Sequence, residues 1–235
     1  TDVIININTE DYNITKNKLK PKKCYLLNGV GLDLGKYKKL NNEEILEKKK
    51  ELGLNDNDFI VLMIAELNKN KNHIQVINAI GILKKSYSNI KLICIGDGNM
   101  MQSLKKEIIS KDLQNNIFML GYREDVNELI NISDIGILMS YREGLPRNIM
   151  EFMACGRKVI ATNIRGCRDL VCNENVGILV KVGDFDATAK AIEKYYLLKD
   201  KTFRIPDEII KYDIKSVNKE LLKIYEEIEL GINSE

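Results

Sequence analysis

Short apolar segments alternate with segments of helical length over most of this chain, and this alternation restricts its possible folds more than any other feature. The apolar segments lack the polar–apolar alternation of a strand with one solvated face, which is typical of strands covered on both faces. Such strands, separated by helices, predict an α/β domain with a doubly wound, mostly parallel, Rossmann-like sheet of about six strands. The predicted strands are Phe59–Ala65, Lys91–Ile95, Ile117–Leu120, Ile135–Met139, Val159–Thr162 and Gly177–Val180.

Helices are predicted between these strands and on both sides of them. The last helix carries apolar residues at spacings near three and four, so it should cover another surface. The predicted helices are Glu10–Leu19, Glu43–Leu52, Asn72–Ser86, Met101–Ser110, Asp125–Ile130, one from near Pro146, Phe185–Leu198 and one from Ile214 to about Leu230. Two further short strands, Val3–Ile7 and Tyr25–Leu27, are predicted ahead of the main sheet.

The charge of the chain is nearly balanced, with 36 Lys and Arg against 34 Asp and Glu and a net charge of +2. This balance gives no reason to expect a nucleic-acid partner. Lysine-rich stretches at residues 16–23 and 48–50 are interpreted as solvated surface, with contact to an anionic membrane face or an acidic partner as the alternative. No apolar run of membrane-spanning length and no signal-sequence pattern is present, so a cytoplasmic location is expected.

Several residue types that often mark metal or redox sites have simpler interpretations here. Five cysteines without a Cys-x-x-Cys pair indicate reduced thiols. The single histidine, His73, rules out sites built from several histidines. The triplets 56–58 and 184–186 read Asp-x-Asp, but they precede a strand and open a helix, where aspartate commonly caps turns. No metal site is therefore predicted, and Gly96-Asp97-Gly98 is interpreted as a turn.

The stretch Ser140–Arg168 has the order strand, loop, helix, strand. Its loop would lie at the carboxyl edge of the sheet, where open α/β sheets bind ligands. Gly144 lets the backbone approach a ligand closely, Pro146 suits the first helical turn, and the free amides of that turn attract anions. Two carboxylates, Glu143 and Glu151, flank this anion site. From spacing alone, they could equally well stabilise only the helix N-terminus.

These residues carry a resemblance to a known family. From Ser140 onward, the pattern Ser-x-x-Glu-Gly-x-Pro-x-x-x-x-Glu-x-Met-Ala-x-Gly resembles the donor-binding motif of family 4 retaining glycosyltransferases. These enzymes have two Rossmann-like domains that face each other across a cleft, the GT-B arrangement, and this chain resembles the second, nucleotide-sugar-binding domain. Further matches, in the same order as in the family, are Asn28-Gly29-Val30, Lys71, Gly96-Asp97-Gly98, Gly121-Tyr122, Asp134, Gly166 and Gly183-Asp184.

The resemblance implies a division of the chain and an activity. Residues 1–30 would be a remnant of the N-terminal acceptor domain, residues 31–213 the nucleotide-sugar-binding domain, and residues 214–235 a helix that packs back on the N-terminal domain. The full-length enzyme would move a hexose, with retention and without metal, from a nucleoside-diphosphate sugar to an acceptor hydroxyl in surface polysaccharide or glycan synthesis. UDP is favoured over GDP, and the chain alone is expected to be inactive or nearly so.

The implied partners are the nucleotide sugar, the missing acceptor domain and a lipid-linked acceptor at the inner face of the membrane. Apolar surface left uncovered without that domain would favour a dimer of the chain alone.

The resemblance also implies roles for single residues. Glu143 would bind hydroxyl groups of the donor sugar, and Glu151 those of the ribose. Lys71 would stabilise the charge that develops on the departing diphosphate. Further contacts are implied for Gly144, Leu145 and Arg147 with sugar and phosphate, and for Gly121, Tyr122 and Arg123 beside the base.

One position departs from the family pattern. Many members carry, at the position of Glu66, an arginine that serves as a second cation at the diphosphate. Either Arg142 or Arg147 substitutes for it, or Glu66 turns away and the site relies on Lys71 and helix amides; we favour the second arrangement. An alternative function is a non-catalytic binding or scaffold module with a degenerate diphosphate site. A Rossmann-type enzyme such as a sugar-nucleotide epimerase is disfavoured, because its catalytic groups are not evident.

Overall fold

The computed structural model describes residues 2–198 and 204–232 and confirms the predicted fold class. Six parallel strands form one sheet, flanked by helices, and a separate pair of parallel strands precedes it. The strands are β1 (Val3–Asn6), β2 (Lys23–Leu26), β3 (Phe59–Ile64), β4 (Ile90–Ile95), β5 (Ile117–Gly121), β6 (Ile135–Leu138), β7 (Lys158–Thr162) and β8 (Gly177–Val180).

The α-helices connect these strands or follow the last of them. They are α1 (Thr9–Ile14), α2 (Asn42–Glu51), α3 (His73–Leu83), α4 (Met101–Ser110), α5 (Val126–Ile132), α6 (Arg147–Ala154), α7 (Cys167–Leu170), α8 (Phe185–Leu198) and α9 (Ile214–Ile232). No helix within the described ranges is both long enough and apolar enough to cross a bilayer.

The strand order of the main sheet is β5-β4-β3-β6-β7-β8. Strands β4 and β5 therefore add to one side of β3. The chain then crosses back to the other side of β3, where β6, β7 and β8 follow in order. At this reversal the loops that follow β3 and β6 leave toward opposite faces of the sheet, which opens a crevice at the carboxyl ends of the two strands.

Both faces of the sheet are buried, as the apolar strand pattern predicts. Along β3, Ile60 and Leu62 point into one core, while Val61 and Met63 point into the other. Helices α3, α4 and α8 cover the second face, and α5, α6 and α7 cover the first. Each of these fully buried side chains contributes about 1.5–3 kcal/mol through the hydrophobic effect, which holds the strand ends in place beneath the loops.

The first strand pair packs against the last helix. Leu27, which follows β2, forms a small apolar cluster with Val217 and Ile224 of α9. The structure thus confirms that the amphipathic last helix covers another surface. A single parallel bridge between Leu32 and Asp213 ties the start of the main domain to the residue before α9.

The structure differs from the sequence prediction in some short elements. The predicted helix Glu10–Leu19 is α-helical over Thr9–Ile14 and then continues as a π-helical turn over Thr15–Leu19. Helix α7 and a 3-10 segment at Asp207–Tyr212 were not predicted, because elements of one or two turns are too short to show a hydrophobic period.

Candidate functional site

The loops that follow β3 and β6 are joined where the strand order reverses. The Tyr141 amide donates a hydrogen bond to the Asn70 carbonyl at 2.8 Å, and the Asn70 side chain donates to the Arg142 carbonyl at 3.0 Å. In the first turn of α6, the Asn148 side chain donates to the Ile64 carbonyl at the end of β3, at 2.7 Å. The two loops therefore form one connected surface above the crevice.

Lys71 and Glu143 form an ion pair on this surface. The Lys71 ammonium lies 2.5 Å from Glu143 Oε1, and the Ser140 hydroxyl donates to the same oxygen at 2.6 Å. The two charged side chains are only 21% and 11% exposed, so they are largely removed from solvent screening. The structure thus brings the two predicted catalytic residues together from separate loops. Ser140 was not predicted to contact Glu143.

Glu151 lies in the second turn of α6 with different partners. The Tyr37 hydroxyl donates to Glu151 Oε1 at 2.8 Å, and Arg147 Nε lies 3.4 Å from the same oxygen. Burial raises the pKa of Glu151 above its ordinary value, and the bonds from Tyr37 and Arg147 partly oppose that rise. The sequence analysis missed Tyr37, because it lies in an irregular connection without a motif.

The start of α6 is one residue later than expected. Pro146 is the N-cap in an extended conformation, not a residue of the first turn, and Arg147 begins the helix. The amides of Arg147 and Asn148 have no hydrogen-bond partner within the described part of the chain. These amides point along the helix axis toward the loop, as an anion site requires.

Gly166 holds the loop before α6 against the end of β7. A Cβ atom on Gly166 would lie 2.0 Å from the Gly144 carbonyl oxygen and 3.3 Å from Leu145 Cα. Gly166 also has a φ of +73°, which a residue with a side chain rarely adopts. The glycine in the family pattern therefore permits the close approach of two loops, and Gly144 and Leu145 are fixed by that contact.

In the segment predicted to border a base, the Tyr122 side chain is exposed and the Arg123 side chain is held by ion pairs. Tyr122 is 75% exposed, just after Gly121 ends β5. Arg123 donates to Asp125 at 2.5 Å and approaches Glu51 at 3.4 Å, and these charges form one network with Lys48. Its bonds to Asp125 raise the pKa of Arg123, while Arg123, followed by Lys48, holds the pKa of Asp125 well below its usual value. Arg123 is thus tied into this network, and Tyr122 is available to a ligand.

The position that departs from the family pattern lies just after β3. Glu66 is exposed, and its side chain forms no ion pair or hydrogen bond with the described residues. Arg147, one of the two proposed substitute cations, already contacts Glu151. Lys71 is the cation that contacts a carboxylate of the loop before α6, through its ion pair with Glu143.

The other predicted turn and cap residues have structural roles. Asp58 accepts a hydrogen bond from the Asn55 amide at 2.8 Å, and Asp184 caps α8 by accepting from the Ala187 amide at 2.8 Å. Burial, and to a smaller extent the Lys71 charge, lowers the pKa of His73 to about 4, so this histidine is neutral at neutral pH. Across residues 2–198 and 204–232, no group of three or more His, Cys, Asp or Glu side chains is placed to hold a metal ion.

Comparison with known sequences identifies relatives among bacterial glycosyltransferases. The putative glycosyltransferase EpsD of Bacillus subtilis is 32% identical over 197 residues, which cover 83% of this chain and 52% of that protein. An Escherichia coli protein, UDP-Gal:alpha-D-GlcNAc-diphosphoundecaprenol alpha-1,3-galactosyltransferase, is 32% identical over 165 residues, covering 69% of this chain and 42% of that protein. The chain spans about half the length of the curated relatives it matches.

Solved structures agree on the fold. Anabaena Alr3699/HepE, crystallised with UDP, superposes with a TM-score of 0.85 at 21% identity, over 97% of this chain and 64% of that one. A Rickettsia africae glycosyltransferase gives a TM-score of 0.85 at 22% identity, over 97% of this chain and 63% of that one. These likenesses show the Rossmann-like half of a GT-B architecture. The sequence model of one family matches residues 44–215, most of the chain, and the protein therefore belongs to that family, the glycosyl transferases group 1.

Proposed function

We propose that this chain is the donor-binding half of a retaining glycosyltransferase that moves a hexose from a nucleoside-diphosphate sugar to an acceptor hydroxyl. The observation that carries the proposal is the Lys71–Glu143 pair beside the free amides of α6, at the reversal of strand order. This crevice offers a cation and helix amides to a diphosphate, and carboxylates to the hydroxyl groups of a sugar.

Lys71 and Glu143 act on opposite parts of the donor. A diphosphate at the start of α6 attracts the Lys71 ammonium away from Glu143, and the released carboxylate accepts hydrogen bonds from the hexose hydroxyls. As the sugar–phosphate bond breaks, negative charge grows on the diphosphate, and the ammonium and the helix amides stabilise that charge. No metal is required in this scheme.

Glu151 and Tyr122 serve the nucleoside. The Glu151 carboxylate accepts hydrogen bonds from ribose hydroxyls, as an acidic residue does in other dinucleotide-binding folds. The exposed ring of Tyr122, beside Gly121, offers a surface to the base. Gly144 and Leu145 in the loop before α6, and Arg147 at the start of α6, contact sugar and phosphate.

The ligands and acceptors of similar proteins support the choice of uridine and of a lipid-linked acceptor. HepE was crystallised with UDP and with UDP-glucose. The Escherichia coli relative and a Campylobacter jejuni relative, 28% identical over 220 residues, are named for acceptors on diphosphoundecaprenol or diphospho-undecaprenol. We therefore propose that this protein uses UDP-hexose and acts in surface polysaccharide or glycan synthesis, at the inner face of the membrane.

The first strand pair and the last helix belong to the acceptor side. A two-stranded parallel sheet has open edges, and large apolar side chains near it are exposed, including Val30 at 71% and Leu222 at 62%. We assign residues 1–30 to the acceptor domain, residues 31–213 to the donor domain, and residues 214–235 to a helix that packs against the acceptor domain. Without further chain to cover this surface, the protein should bind donor, transfer little or nothing, and favour a dimer.

Calorimetric titration of the folded chain tests the proposal. UDP should bind more tightly than GDP, and dialysis against a chelator should leave UDP binding unchanged. Glu151→Ala should weaken UDP binding, and Glu143→Ala should mainly reduce the gain that UDP-glucose shows over UDP. Glu174→Ala, an exposed substitution near the opposite end of β8, is the matched control and should change neither. A folded sample that binds none of these nucleotides would overturn the proposal.

A non-catalytic binding module remains the second candidate, because Glu66 places an exposed carboxylate after β3. In that case the unaltered chain would not bind UDP, and Glu66→Arg would create binding by adding a cation. If the unaltered chain binds UDP and Glu66→Arg changes its affinity only modestly, the donor-binding function is supported over the scaffold function.

A further inference from the structure

We infer that Tyr37 is a positioning residue that holds the Glu151 carboxylate in place for the ribose hydroxyls of the nucleotide. This inference rests on the proposed function of Glu151. Tyr37 lies far from α6 in sequence, in the connection between the first strand pair and the main sheet, so the contact depends on how that connection is anchored.

The connection over residues 38–40 is fastened to α5 by two asparagine side chains. The Lys38 amide donates to Asn127 Oδ1 and the Leu40 amide donates to Asn131 Oδ1, each at 3.1 Å. In return, Asn131 Nδ2 donates to the Lys38 carbonyl at 2.9 Å. Asn131 is 2% exposed, so its bonds to the Leu40 amide and the Lys38 carbonyl are partly shielded from water. The backbone next to Tyr37 is therefore held on a rigid helix.

The phenol contacts only one side of the carboxylate. The Tyr37 hydroxyl lies 2.8 Å from Glu151 Oε1, and Arg147 Nε lies 3.4 Å from the same atom. Glu151 Oε2 takes part in no hydrogen bond with the described residues. A carboxylate oxygen has two lone pairs, so Oε2 can accept from a ribose hydroxyl while Tyr37 fixes the orientation of the group.

Three titratable or charged groups face Glu151: Tyr37 from the connection, Arg147 from α6, and Cys155, which directly follows α6. Burial and the Glu151 charge raise the pKa of Tyr37, so the phenol stays protonated and remains a donor. Burial raises the pKa of Cys155 to about 12, so the thiol is neutral. Arg147 is 59% exposed along its side chain. In a Tyr37→Phe variant, the exposed Arg147 alone would stabilise the ionised carboxylate, and the pKa of Glu151 should rise.

The test is calorimetric titration with UDP and with 2′,3′-dideoxyuridine diphosphate, over a range of pH, for the unaltered chain and for Tyr37→Phe. The matched control is Tyr87→Phe, which removes a hydroxyl that donates to Glu193 at the same 2.8 Å but far from the crevice. At neutral pH, Tyr37→Phe should weaken UDP binding about tenfold, as expected for a hydrogen bond to a charged group. Its loss of binding on acidification should begin at a higher pH than in the unaltered chain.

Two further readouts separate positioning from a general structural effect. Tyr37→Phe should leave binding of the dideoxy nucleotide unchanged, and it should have no effect in a Glu151→Ala background. If Tyr37→Phe has the same UDP affinity and pH profile as the unaltered chain, this inference is overturned while the proposed function stands. An equal loss of affinity for both nucleotides would have the same consequence. Absence of UDP binding by the unaltered chain would overturn the proposed function and this inference with it.

Discussion

The Lys71 ammonium lies 2.5 Å from Glu143 Oε1, although the two residues are 72 positions apart in the chain. The pair forms because β3 and β6 are neighbours in the sheet and their following loops meet. Under the proposed function, Glu143 and a bound diphosphate would compete for the Lys71 ammonium. Glu143 would then affect the binding of the diphosphate even though its proposed partner is the sugar.

Glu143→Gln should separate these two effects. The neutral amide no longer holds Lys71, so UDP affinity should stay equal or increase by up to about tenfold. The additional affinity of UDP-glucose over UDP should decrease, because the amide replaces a charged acceptor of hydroxyl groups. Titration calorimetry with both ligands measures the two quantities, and Glu174→Gln is the control. A large loss of UDP affinity would contradict the competition.

Glu151→Gln should stabilise the folded protein at neutral pH while weakening nucleotide binding. Burial raises the pKa of Glu151 above its ordinary 4.5, so the folded protein holds that proton more tightly than the unfolded chain does. The unfolding free energy therefore falls as pH rises from the unfolded to the folded pKa. Glutamine does not titrate, so the variant does not lose this stability. Urea denaturation should give the variant a higher free energy of unfolding than the unaltered chain at neutral pH, and the difference should shrink as pH approaches 4.5. A difference that is constant with pH would contradict the assignment.

Asp125→Asn should destabilise the charge network that holds Arg123. The hydrogen bond from Arg123, followed by Lys48, lowers the pKa of Asp125, so its stabilising effect is present above the unfolded value of 3.8 and is lost as pH falls through the folded pKa. At neutral pH the loss should be about 0.5–1 kcal/mol, since the network is partly solvated. Asp112→Asn alters a pair whose aspartate side chain is 90% exposed and should have a smaller effect. Denaturation curves at several pH values check both variants.

Gly166→Ala should destabilise the folded protein by more than the cost of its positive φ, because the new side chain would displace the loop before α6. The new Cβ would lie 2.0 Å from the Gly144 carbonyl, which adds about 1–3 kcal/mol of destabilisation. The matched control is Gly183→Ala, because Gly183 has a φ of +79° and a Cβ added there would have no heavy atom within 4 Å. Both variants carry the left-handed cost of about 1–2 kcal/mol. Only Gly166→Ala should also weaken UDP-glucose binding; an equal effect of both variants would contradict this role of Gly166.

Much of the fold follows from local sequence patterns. Runs such as Ile60–Met63, apolar at every position, require burial on both faces, and helices between them impose parallel strands. The motif from Ser140 likewise identifies a loop and helix start, since Gly144 and Pro146 have backbone requirements of their own. These features depend on residues close together in the chain, so the sequence alone determined them.

The partners of the site residues depended on the tertiary structure. Strand order placed Lys71 against Glu143, and an irregular connection anchored by Asn127 and Asn131 brought Tyr37 to Glu151. No periodic pattern encodes such contacts, because they depend on how distant loops pack. The sequence by itself determined the doubly wound sheet and the position of its ligand loop. Only the tertiary structure decided which charges that loop pairs, since side-chain partners across a crevice are set by strand order and loop packing.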